Sequence, residues 1–290
     1  MSEPMTLHAR VAASAKEVHR ALTDPAALRV WLAEHAEVDL PHRYAFWGRH
    51  TPEGQEPHQR LLHVDDHTLR FAWLLDGEET AVEFRLTEES PESTVITLSQ
   101  THFDFQHVVT GASIRGVLQT FWALAVANLV DHLEGRPLTP MCDFTSARLR
   151  EEVIIDASRE AVYDSLVDSG KVSRWFGFPI EIEPHVGGRF AMGGFEAGQA
   201  AKIIDLDPGR TLSVDWADYG VTTWELEDSG GGTRLTFVQS GFSTGQAPYA
   251  TWMGWLSGIA ELRRFHELAD WRPIWLDAPE GAAAEEATVR

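Results

Sequence analysis

The chain has 290 residues, 43% of them apolar and 23% charged, with 24 basic against 44 acidic side chains and a net charge of -20. This is the composition of a packed protein rather than a disordered one, and its acidity repels phosphate backbones and anionic lipid, so no nucleic acid and no membrane insertion are expected. One cysteine, Cys142, excludes an internal disulfide and a thiolate metal cluster.

The N-terminus, Met1 to Arg10, lacks the apolar stretch of a signal peptide, and no apolar run reaches the ~18 residues that cross a bilayer. A cytoplasmic location is the expectation. Alternating polar and apolar residues predict a half-buried strand over Leu7 to Ala12. Ser14 follows as an N-cap, with Glu17 placed to complete a capping box, and a short helix carries Val18, Ala21 and Leu22. A second helical turn ends at Trp31. The segments Leu69 to Leu75, Ala81 to Leu86 and Val95 to Gln100 read as strands of an antiparallel meander, with turn chemistry at Asp76-Gly77. Gly116 to Leu133 is long enough for a substantial helix and apolar on more than one face, as a helix gripped by a sheet should be. Gly135-Arg136-Pro137 stops it.

The same order then starts again. Ser14, Val18, Leu22 and Trp31 recur as Ser158, Val162, Leu166 and Trp175, all 144 positions later, and Phe46 recurs as Phe190. The offset falls to 143 at Trp73 and Trp216, to 140 at Phe84 and Trp224, and to 133 at Trp122 and Trp255. Losses confined to the gaps between periodic segments are loop-length changes. The repeat opens with a strand over Leu149 to Ile155 and closes with a helix over Tyr249 to Leu268. In between, strands are expected at Thr211 to Trp216, Thr222 to Leu226 and Arg234 to Gln239. The fold class is therefore α+β: two tandem domains, each a curved antiparallel sheet wrapped around a long C-terminal helix, with two short helices after the first strand. The expected limits are 1–137, a linker at 138–147, 148–277, and a flexible tail at 278–290. The segment bearing Trp271 and Trp275 is expected to pack back on a domain.

Several stretches of the second half carry a resemblance. They are Val153-Ile154-Ile155-Asp156-Ala157-Ser158, Ala161-Val162-Tyr163, Trp175-Phe176, Pro184-His185-Val186-Gly187-Gly188-Arg189-Phe190 and Gly254-Trp255. Together they resemble the C-terminal domain of the heat-shock-protein-90 ATPase activator and its bacterial homologues. That family belongs to the helix-grip (SRPBCC) superfamily of START lipid-transfer domains, pollen allergens and polyketide cyclases. The resemblance implies a six- or seven-stranded sheet on a C-terminal helix with a cavity between them. In the first half Leu40-Pro41-His42-Arg43-Tyr44 replaces the paired glycines, which implies a differently shaped mouth.

Candidate ligand-binding residues follow from that cavity. Phe190, Trp216, Trp224, Trp252 and Trp255 fall on predicted strands or the last helix and would line either a solid core or an apolar pocket, which produce the same periodicity. Gln239 and Tyr249 add polar groups. Glu261 would have a raised pKa if it pointed inward, the alternative being a solvated acid. No nucleophile sits in a hydrolase elbow, so no catalytic residue is assigned. His102, Asp104, Gln106, His107 and His132 lack a standard ligand spacing and read as ordinary histidines and neighbours, so no metal and no cofactor are expected. The glycine pairs at 187–188 and 193–194 lack the context of a phosphate loop and read as bends. The expected function is binding of a small hydrophobic or amphipathic molecule, mainly in the second domain. The alternatives are a protein-interaction or chaperone-cofactor-like module and a cyclase-like or hydrolase-like enzyme.

Overall fold

The computed structural model describes residues 4–101, 114–197, 200–243 and 247–276. His102, Asp104, Gln106, His107, Gly198 and the tail at 278–290 lie outside them. Two compact units divide the chain: Met1–Asp143 with the segment from Ile274 onward, and Phe144–Pro273.

The first unit opens with strand β1 (Met5–Val11) and helices α1 (Ala15–Thr23) and α2 (Pro25–Trp31). Ser14 and Glu17 close the expected capping box, each side chain taking the other's backbone N–H. Asp24 ends α1 and starts α2 by accepting the Ala26 N–H at 2.9 Å, and Pro25 fits the first helical position, where no N–H is needed. Strands β2 (His35–Asp39) and β3 (Arg43–Trp47) follow, then β4 (Gln59–Val64), β5 (Thr68–Leu75), β6 (Glu78–Ser90) and β7 (Ser93–Gln100). Asp76 and Gly77 both take positive φ (52° and 73°), which a two-residue hairpin between β5 and β6 demands. A 3₁₀ turn at Ile114–Val117 leads into α3 (Leu118–Leu133).

The second unit repeats this order. It contains β8 (Leu149–Ile155), α4 (Arg159–Val167), α5 (Ser169–Phe176), β9 (Ile180–Ile182), β10 (Arg189–Met192), β11 (Ala201–Asp207), β12 (Thr211–Asp215), β13 (Val221–Ser229), β14 (Gly232–Ser240) and α6 (Tyr249–Glu267). Its sheet has seven antiparallel strands in the order β8-β14-β13-β12-β11-β10-β9. Gly188 makes the bend before β10 possible, because a Cβ there would lie 2.1 Å from the Glu183 carbonyl oxygen.

The first unit departs from the expected six or seven strands in one sheet. Its sheet has five, β1-β7-β6-β5-β4, and β2 and β3 form a separate ladder. The break falls between β3 and β4, where the Phe46 N–H donates to the Gln59 side-chain oxygen at 3.1 Å. In the second unit the matching strands pair directly, Phe190 opposite Ala201. A side-chain amide thus stands in for a backbone rung.

Four interactions recur at matched positions of the two units. The indole of Trp31 donates to the Ala21 carbonyl at 3.0 Å, and that of Trp175 to the Ser165 carbonyl at 2.8 Å. Thr94 donates to Ala13, and Thr233 to Ala157. The Glu134 carboxylate accepts the Ala12 N–H, and Glu267 accepts that of Asp156. Ser14 and Ser158 each accept the N–H three residues on.

Ile274 to Leu276, placed before the expected domain limit at residue 277, runs against β1 of the first unit. The Arg10 N–H donates to Ile274 at 2.7 Å, the Leu276 N–H donates to His8 at 3.0 Å, and Trp275 bridges Ala9. The outer edge of β1 is thereby covered. Among the described residues no helix is long and apolar enough to cross a membrane.

Candidate ligand-binding site

Alternation along β12, β13 and β14 and the inward face of α6 bring most of the expected residues into one aromatic cluster. Trp224 meets Trp255 edge to face at 4.9 Å and 80°, and Trp255 lies 6.0 Å from Trp216 and 6.1 Å from Phe190. Phe190 and Trp216 are 5.5 Å apart. Trp252 joins through Phe237, on which it stacks at 4.8 Å and 10°. Such spacings are ring-on-ring contact, so the space the resemblance reserves for a cavity is taken up by side chains. Two surface depressions, of about 890 and 510 Å³, are lined by other residues.

Two members of the cluster, Phe237 and Phe176, escaped the sequence reading. Phe237 was legible as the inward residue between Leu235 and Gln239. Phe176 contacts Trp255 at 5.0 Å, and its place depends on Gly258, where a Cβ would lie 2.6 Å from the Phe176 ring. The matched positions in the first unit are Leu32 and Ala125, so the bulk has moved from the helix to its neighbour.

Polar candidates divide. Gln239 stays with the cluster end of α6, its amide donating to the Tyr219 carbonyl at 2.9 Å and to Thr251 at 3.2 Å. The Tyr249 hydroxyl donates to the carbonyls of Phe144 and Ser146, and its ring packs on Phe144. Glu261 is buried, which removes the alternative of a solvated acid, and it accepts the Trp271 indole N–H at 3.2 Å. Its match in the first unit, Asn128, clamps the Thr139 backbone with two bonds of 2.9 Å. Both side chains thus have structural work. The cluster rings Phe190, Trp216, Trp224, Phe237, Trp252 and Trp255, with Gln239, Thr222 and Thr251, bear no ionisable group.

Matched tryptophans distinguish the two interiors. In the first unit Trp73 and Trp122 are both fully buried. Trp122 donates to Gln100 at 2.7 Å, Gln100 to Thr80 at 3.0 Å, and Thr80 to the Trp73 carbonyl at 3.0 Å, a chain that runs from one tryptophan's indole to the other's backbone. In the second unit the matching Trp216 is half-buried and Trp255 is 6% exposed. Gln239 points to Tyr219 and Thr251 instead, and the Trp216 indole donates to Thr222 at 2.7 Å. Each cluster also holds one buried indole N–H without an acceptor, on Trp73 and on Trp224.

The bend carrying Phe190 is held from outside. The Arg189 guanidinium and backbone N–H both bind Glu183, which brings that carboxyl down to about 2, and the guanidinium covers the Phe195 ring at 3.9 Å. Among the described residues no group of three or more His, Cys, Asp or Glu is placed to hold a metal.

A curved antiparallel sheet folded on a long C-terminal helix, with two short helices after its first strand, defines a helix-grip domain, present here in two tandem copies. The family model described as activator of Hsp90 ATPase homolog 1-like protein matches residues 12–134 and 156–267. The chain belongs to this family. Solved structures similar to it include a conserved protein of unknown function from Enterococcus faecalis, 25% identical over 44% of this chain and 75% of its own, with a TM-score of 0.37. A protein of the dynemicin biosynthetic locus is 19% identical over 92% of this chain and all of its own (TM-score 0.38). The Aha1 dimer from Colwellia psychrerythraea is 18% identical over 43% of this chain and 98% of its own (TM-score 0.38). No curated protein matches.

Proposed function

We propose that the second unit binds a small apolar or amphipathic molecule that carries a hydrogen-bond acceptor. Phe190, Trp216, Trp224, Trp252 and Trp255 contact its body and Gln239 lies at its polar end. The observation that carries this reading is the half-buried Trp216 beside Trp255, at positions sealed in the first unit. Entry requires the Trp216 ring to swing outward. Its bond to Thr222 opposes that by only about 1 kcal/mol net, since water replaces the lost partner. A guest acceptor meeting the Trp224 N–H would recover part of the roughly 1–3 kcal/mol that an unmet buried donor costs. The absence of an ionisable side chain among these residues favours binding over acid–base catalysis at this place.

Native mass spectrometry of the full chain, followed by titration with the neutral probe N-phenyl-1-naphthylamine, tests the proposal. A retained molecule, or saturable probe binding weakened by Trp255→Ala and altered by Trp216→Ala, supports it. No retained molecule together with no saturable probe binding overturns it.

A further inference from the structure

A second place in the Phe144–Pro273 unit lies outside the tryptophan cluster. It is the depression of about 890 Å³ where α6 ends, walled by Arg174 of α5 and by Phe265, Leu268, Trp271 and Arg272. The Arg174 guanidinium carbon sits 5.3 Å from the centroids of both Phe265 and Trp271. Those rings meet edge to face at 5.1 Å and 82°, and Glu261 fixes Trp271 by its indole N–H. A guanidinium whose faces are taken by rings keeps its N–H donors along its edge, in the fork that matches a carboxylate.

Several arginines elsewhere in this acidic unit have acids beside them, as in Arg189 with Glu183, Arg234 with Glu227 and Arg150 with Glu152. Lys171, one turn before Arg174, is paired with Asp164. Arg174 and Arg272 have no acidic partner among the described residues, yet both face one depression. Among the lining residues the two arginines outnumber Asp270, in a chain whose net charge is -20. His266, behind Phe265, is held below the usual histidine range by burial and by Lys171, so it adds no charge near neutral pH. The chain's negative field opposes an extended polyanion, while salt screens it over about 10 Å and leaves a small anion subject to the local pair.

We propose that this depression binds a small aryl carboxylate, its carboxylate held by the Arg174 fork with Arg272 as second cation and its ring set against Trp271 and Leu268. The volume lies within the ~300–1,000 Å³ of small-molecule sites. The test is a titration of the ¹⁵N-labelled full chain with benzoate, acetate and inorganic phosphate, followed at the Trp271 indole N–H, which the Trp271→Phe variant assigns. Saturable binding of benzoate tighter than that of acetate or phosphate is expected. Arg174→Gln should weaken it by about tenfold or more, with Arg174→Lys failing to restore it and Trp216→Ala leaving it unchanged. Arg272→Gln should weaken it less, and serves as the second variant if Arg174→Gln disturbs the fold. No saturable shift with millimolar benzoate, equal response to all three anions, or wild-type affinity in folded Arg174→Gln and Arg272→Gln proteins would overturn the proposal.

Discussion

Both units pack rings edge to face in their interiors, but the first also ties its tryptophans into a chain of buried hydrogen bonds that the second lacks. At equivalent places Trp122 is tied to Gln100 and fully hidden, whereas Trp255 lies beside the half-buried Trp216 while Gln239 binds elsewhere. Two copies of one fold have thus diverged at its most enclosed point. A polar chain such as Trp122–Gln100–Thr80 demands fixed geometry, because each broken link leaves a buried group unmet. Aromatic contacts tolerate rearrangement at lower cost, and that tolerance is what a binding interior needs.

The most forceful way to break this comparison is to truncate matched tryptophans. Trp73→Ala should destabilise the first unit by about 3–5 kcal/mol, and Trp216→Ala the second by about 2 kcal/mol or less, read from urea unfolding. Equal losses would mean that the two interiors are equally closed. Next comes the polar chain. Gln100→Leu should cost about 1–3 kcal/mol by stranding the Trp122 donor, and Gln239→Leu less, since Thr251 keeps the Pro248 carbonyl as a partner.

The exchange of bulk can be tested by Gly258→Ala, which drives a methyl against Phe176 and should cost about 1–3 kcal/mol. Adding Phe176→Leu recreates the Leu32 and Ala125 combination and should recover most of it. A smaller effect sits at the caps. Ala161→Glu installs the capping box that the second copy lacks and should raise stability by about 0.5 kcal/mol.

The smallest effect is one of pH. The Glu183 carboxyl is lowered to about 2 by Arg189, so its contribution is complete above the ordinary carboxylate range and disappears as pH falls from about 4.5 toward 2. Glu183→Gln should therefore melt slightly below the parent at pH 7 and level with it near pH 2. A difference that persists at the acid end would locate the effect outside the ion pair.

Much of the architecture was legible because the periodic signals are local. Ser14 with Glu17, Asp76-Gly77 and the alternation through Val95 to Gln100 each act within a few residues, and the strands and hairpin stand close to where these signals put them. β2 and β3 carry no such signal, since His35–Asp39 is short and mostly polar and Arg43–Trp47 is a dense apolar run without alternation. At the candidate site the inward tryptophans could be read from strand and helix period. The placement of Phe176 could not, because it depends on the missing Cβ of Gly258 across two helices.

The sequence alone determined the repeat, the order of its periodic elements, the gripped helices and the tryptophans that face inward. All of these follow from hydrophobic period and turn chemistry, which are written in neighbouring residues. Tertiary structure decided which interior is sealed, where Gln100 and Gln239 send their amides, that Glu261 serves Trp271, and that Ile274 to Leu276 lies on β1. Those outcomes depend on distances between residues far apart in the chain, and no local pattern encodes a distance.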